Sequence, residues 1–258
     1  MNYKIKVIQT FFDKGFINPF NTFINNKNNH KIIKMCISSV QDWCLTNGFD
    51  YELVTKKPDV IIDTRFLASD RHFSCYQYAC FPSFGYDYIV YLDNDVWIVD
   101  PSTELPLFDL GASSAALTQS THPYYQYYIS PAAIPWETSI LVLSQNRANH
   151  LREWILPRIS GEVYTPGWSE QLDKIEFLSL KNNMVSHVFL LSLYCFENGV
   201  ECLPKEWNIR PHFTYDDSII KAAKVIHFQT ANKEKNFERL TFDQKKKFSQ
   251  LPEATVTL

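Results

Sequence analysis

Residues 88–101 read Tyr88-Ile89-Val90-Tyr91-Leu92-Asp93-Asn94-Asp95-Val96-Trp97-Ile98-Val99-Asp100-Pro101. Five apolar residues, β-branched or aromatic for the most part, predict a strand buried on both faces, as at the centre of an α/β sheet. Side chains alternate along a strand, so Asp93 and Asp95 at its end are expected to point the same way. The carboxyl end of such a strand is where open α/β sheets hold ligands. Two like charges side by side repel, and a divalent cation relieves the repulsion.

Elements on either side of this run alternate in the same sense. Lys4–Phe12 reads as a first strand and Lys31–Leu45 as a helix, with Ile32, Ile33, Cys36, Val40 and Trp43 at helical spacing and Gly48 placed to stop it. Phe49–Thr55 is a second strand, Val60–Asp63 a short extended piece, and about Phe66–Phe81 a helix leading through Pro82 and Gly85 into the acidic strand. Strand, helix, strand, helix, strand predicts a parallel sheet joined by right-handed crossovers. Further on come a strand at Ser139–Leu143, helices at Arg147–Leu156, Glu170–Leu180 and Ser186–Asn198, a strand at Gly199–Leu203, and a last strand, Ala223–Ile226, ending on His227. No repeat or linker divides the chain.

Composition narrows the function classes. The 258 residues are 45% hydrophobic and 15% aromatic with a net charge of −3, which leaves no basic footprint for nucleic acid. The Lys245-Lys246-Lys247 run reads as a solvated helix face. No apolar stretch approaches the roughly 20 residues of a transmembrane helix, and the amino terminus lacks the apolar core of a secretory signal. Six cysteines without zinc-type spacing read as free thiols, so a soluble cytoplasmic protein is expected.

Asp93, Asp95 and a strand-end His227 make a mostly oxygen donor set for Mn²⁺ or Mg²⁺ carrying a diphosphate, and the imidazole favours Mn²⁺. Lys233, six residues on, can meet the same phosphates as a point charge. The acidic motif in a Tyr-rich strand, followed far downstream by His227-Phe228 and Lys233, resembles the nucleotide-sugar glycosyltransferases of GT-A fold. The glycogenin-like and lipopolysaccharide sugar transferases and related small enzymes of large DNA viruses are the nearest in pattern. The resemblance runs over about residues 3–235. It implies a Rossmann-like, mostly parallel central sheet flanked by helices, in a single domain. About residues 1–100 would bind nucleotide and metal, and about 101–258 would face the acceptor.

The resemblance also implies roles. Asp93, Asp95 and His227 would hold the metal, and Lys233 and Arg71 the donor phosphates or sugar. Gln9, Thr10 and Phe11 would line the nucleotide base, a UDP-sugar being the expected donor and a glycan or glycoprotein hydroxyl the acceptor. The segment from Leu203-Pro204 to Trp207-Asn208 resembles a late family segment near the acceptor. Thr230, Glu234 and Ser186-His187 depart from the family pattern. An inverting enzyme needs a carboxylate base, for which Glu137 leads over Glu170 and Asp173. Trp136, Trp168 and His187 are acceptor-side candidates, the two tryptophans as stacking faces. Two rival readings remain. One is a haloacid-dehalogenase-like phosphohydrolase, with Asp93 as nucleophile, Asp95 as acid and Asp216-Asp217 as late metal ligands. The other is a degenerate, non-catalytic carbohydrate-binding module.

Overall fold

The computed structural model describes residues 3–12, 27–63, 72–114, 136–164, 187–214, 216–228 and 233–255. Its described strands are β1 (Ile5–Thr10), β2 (Asp50–Val54), β3 (Tyr88–Leu92), β4 (Val96–Ile98), β5 (Leu110–Ser114), β6 (Trp136–Ser144), β7 (Glu201–Cys202) and β8 (Val225–His227). The described α-helices are α1 (Lys27–Asn47), α2 (Gln145–Ser160), α3 (His187–Asn198), α4 (Asp217–Lys221), α5 (Lys233–Glu238) and α6 (Phe242–Ser249).

Six strands form one sheet in the order β2-β1-β3-β6-β5-β7. β1 pairs in parallel with both β2 and β3, and β5 with β7, while β6 runs antiparallel to β3 and β5. The sheet is therefore mostly parallel, with β6 as the reversed strand. Alternation sends neighbouring residues into different layers. Val7, Val90 and Val142 pack with Val40 and Trp43 of α1 on one face. Ile8, Ile89, Leu141 and Leu143 pack with Leu151 and Ile155 of α2 and Leu190 of α3 on the other. This is the expected GT-A architecture of a sheet between helical layers.

A second, two-stranded sheet pairs β4 with β8, antiparallel. Its apolar support is a third cluster in which Trp97, Ile226, Phe228 and Phe248 meet Ile32, Met35 and Cys36 of α1. This small ladder carries the carboxyl-terminal part of the chain back beside the acidic motif.

Some boundaries differ from expectation, for local reasons. α1 starts earlier than Lys31 and runs to Asn47, where Gly48 takes the left-handed conformation (φ 70°) that favours glycine. α2 is capped by the Ser144 hydroxyl and continues through Pro157 to Gly161 (φ 84°), because buried Ile155 and Ile159 hold the turns on both sides of the proline. The helix expected over about 66–81 is, where described, a 3-10 segment, His72–Cys80. Val60–Asp63 joins no strand, although the Asp63 amide is fixed to the Ile159 carbonyl at 2.8 Å. The helix expected at Glu170–Leu180 lies outside the described residues. No helix among the described residues is long and apolar enough to cross a membrane.

Candidate metal centre

β3 ends at Leu92, and the chain turns at once: the Val96 amide donates to the Asp93 carbonyl at 3.2 Å. Asp93 and Asp95 therefore converge through a turn, not through the alternation of a continuous strand. The turn is tied to the sheet, since the Asp93 amide donates to the Ser139 carbonyl of β6 at 2.8 Å. β4 then pairs with β8 so that Val96 stands opposite His227, and the Phe228 amide donates to the Asp95 carbonyl at 2.9 Å. Backbone pairing thus sets the histidine against the two acids.

His227 Nε2 lies 3.2 Å from Asp95 Oδ1 and 3.8 Å from Asp93 Oδ2. The imidazole is buried, whereas the Asp93 side chain keeps 33% of its surface open, so the cluster reaches solvent through Asp93. Asp95 Oδ2 takes an ion pair from Lys233 Nζ, which also donates to the Phe228 carbonyl at 3.0 Å. Burial alone would raise the Asp95 carboxyl. The Lys233 ammonium and the His227 imidazole overcome that effect and hold it well below the usual carboxylate range.

The donor set fits a divalent ion. One oxygen of each acid and Nε2 lie within 4.8 Å of one another. An octahedral ion with ligands at about 2.0–2.1 Å spaces adjacent donors by about 3 Å and opposite donors by about 4.2 Å, so little rearrangement is needed. His227 Nδ1 is buried with no hydrogen-bond partner among the described residues. It is the nitrogen left to carry the proton when Nε2 is a ligand.

Behind the acids stands a polar scaffold. Tyr91 donates its hydroxyl to Asp93 Oδ1 at 3.0 Å and, with that proton committed, accepts from Thr10 Oγ1 at 3.0 Å. Gln9 donates from Nε2 to the Asp93 carbonyl at 2.9 Å, and its Oε1 accepts from Tyr51 at 2.9 Å. Asn94 reaches back to the Thr10 carbonyl at 3.0 Å. Gln9 and Thr10 are buried and hold the acidic turn at the end of β1, while half-buried Phe11 continues past it. Tyr51 and Tyr91 are supporting residues that motif reading passed over. Tyr91 was findable, because alternation puts it on the same side as Asp93.

The other candidates are less fully placed. Glu137 stands on β6, opposite Ser113, at the end of the sheet where Ser139 meets Asp93. Trp136 is partly buried against the core, its amide donating to Ser192 Oγ at 3.0 Å. His187 is the first residue of α3. Arg71, Trp168, Glu170 and Asp173 lie outside the described residues. Asp216 and Asp217 are occupied elsewhere: Asp216 caps α4 through Ser218, and Asp217 pairs with Arg239 at 2.9 Å. The late acids of the phosphohydrolase reading thus serve a helix start.

No protein-family model matches the chain, and no curated protein matches it in sequence. Solved structures match it in fold. The galactosyltransferase LgtC, in complex with donor and acceptor sugar analogues, is 14% identical with a TM-score of 0.52, over 98% of this chain and 97% of LgtC. The bifunctional glycosyltransferase WbbM is 10% identical with a TM-score of 0.51, over 97% of this chain and 52% of WbbM. The chain has the fold of these GT-A glycosyltransferases, with a candidate divalent-metal site where its acidic turn meets His227.

Proposed function

We propose that the chain is a metal-dependent glycosyltransferase that moves a hexosyl group from a nucleotide sugar, a UDP-sugar, to a hydroxyl of a glycan or glycoprotein. The observation that carries this reading is the meeting of Asp93, Asp95, His227 and Lys233 at the end of β3. Two carboxylates and an imidazole suit Mn²⁺, with Mg²⁺ the alternative, and an ammonium beside them suits a diphosphate. The shared fold with LgtC supports it.

When bound, the ion supplies Lewis-acid neutralisation of charge on the departing diphosphate. The chain's residues do the rest. Tyr91 and Gln9 fix the Asp93 side chain and backbone, so the donor meets acids already in position. Lys233 adds positive charge for the phosphates, and Arg71 does the same from the segment before β3. Gln9, Thr10 and Phe11 put the end of β1 beside the base. Asp95 works in catalysis through the ion. If configuration inverts, Glu137 takes the proton of the acceptor hydroxyl. Trp136, Trp168 and His187 form the acceptor side, within a single domain whose first hundred or so residues bind the donor. The six cysteines are free thiols, which supports a cytoplasmic setting.

Thermal denaturation tests the donor reading. UDP with Mn²⁺ is expected to raise the melting temperature, UDP alone is expected to do much less, and Asp95→Ala should erase the response. An unchanged melting temperature with UDP and Mn²⁺ at millimolar concentration sinks it. A screen of nucleotide sugars with Mn²⁺, following hydrolysis without acceptor, then identifies the sugar. For an inverting enzyme, Glu137→Gln is expected to slow transfer about 10²–10⁴-fold while the thermal response to UDP and Mn²⁺ persists. Equal loss of both would make Glu137 a structural residue.

A further inference from the structure

Lys233 holds the place that a cation would share. Its ammonium is paired with Asp95 Oδ2 while Asp95 Oδ1 faces His227, so both oxygens of one acid are engaged from within the chain. The two partners are nearly buried, with side chains 11% and 13% exposed. The lysine is anchored at several points: its amide donates to Asn29 Oδ1 of α1 at 3.3 Å, and Nζ to the Phe228 carbonyl at 3.0 Å. Cys36 of α1, fully buried near this pair, offers no compensating charge. Water screens such a pair little, so the ammonium and an incoming dication compete strongly for the same carboxylate.

We propose that Lys233 is a resident counter-ion that makes the site take a divalent cation together with a diphosphate and bind the bare ion poorly. The inference rests on the donor reading above and deepens it. With no phosphate present, the ion must approach Asp95 while the lysine stays close, and like charges oppose one another. A diphosphate gives the ammonium a new anionic partner, so Asp95 is released to the ion without stranding a buried charge. The two ligands then help each other through one side chain, and the coupling is reciprocal.

The test compares wild-type protein with Lys233→Met and Lys233→Arg. Mn²⁺ alone is titrated by the electron paramagnetic resonance of the free ion, and the Mn²⁺–UDP complex by calorimetry. Removing the charge is expected to tighten Mn²⁺ alone by roughly tenfold and to weaken Mn²⁺–UDP by a similar factor, changes within the usual span of site coupling. Lys233→Arg should stay near wild type for the bare ion, and circular dichroism confirms that each variant is folded. Unchanged or weaker Mn²⁺ binding by folded Lys233→Met, with wild type still binding Mn²⁺–UDP, overturns the counter-ion role and leaves the donor reading standing. Binding of neither Mn²⁺ nor Mn²⁺–UDP by wild type overturns both.

Discussion

Asp95→Ala is expected to lower nucleotide-sugar turnover by about 10³-fold or more, and to destabilise the protein at the same time. The activity loss follows from its place in the donor set: partners that merely support a metal ligand cost roughly 10–100-fold when removed, and a ligand should cost more. The stability loss follows from burial. Removing the carboxylate leaves the Lys233 ammonium and the His227 ring without the acid they both face. Breaking a buried pair from one side costs about 3–5 kcal/mol. At about 2–4 °C per kcal/mol for a chain of this size, the melting temperature should fall by roughly 6–20 °C. Asp95→Asn keeps the shape and loses the charge, so it should lose activity nearly as fully and stability less. Donor hydrolysis and scanning calorimetry on the two variants decide it. Near-normal turnover in Asp95→Ala would remove the carboxylate from the chemistry.

Trp97→Ala should have a large effect on stability although the residue lies outside the donor set. The indole is buried on β4, stacked on Phe228 with centroids 6.5 Å apart and edge-on to Phe248 at 4.9 Å. Truncating a buried tryptophan costs about 3–5 kcal/mol, again roughly 6–20 °C in melting temperature. Because β4 and β8 share this support, Mn²⁺–UDP affinity should fall as well. Trp97→Phe keeps much of the ring and should recover a large part of both losses. Thermal unfolding measures the first effect and titration calorimetry the second. A shift below about 2 °C, small for a core aromatic, would mean that this cluster does not support the ladder.

The sequence was informative where chemistry and burial coincide. Tyr88–Leu92 announced a central strand because both of its faces are covered, and it lies between β1 and β6. His227 was legible because it ends a β-branched run, and Lys233 because it follows at a short interval. β5 was not legible. Leu110-Gly111-Ala112-Ser113-Ser114 has weak strand propensity, and its pairing with β6 and β7 makes it a strand. The 3-10 character of His72–Cys80 was equally hidden, since three- and four-residue spacings overlap in so short an apolar segment. The direct ion pair of Lys233 with Asp95 could not be read either, because it depends on how closely α5 settles against the acidic turn.

The β4–β8 ladder also fixes when the centre can exist. During synthesis the acids leave the ribosome long before the strand bearing His227, so a nascent chain carries its paired carboxylates with neither the imidazole nor the lysine to answer them. A single-residue insertion in β8 would have a like consequence in the finished protein: the ring would rotate to the opposite side of the ladder and the acids would again stand alone.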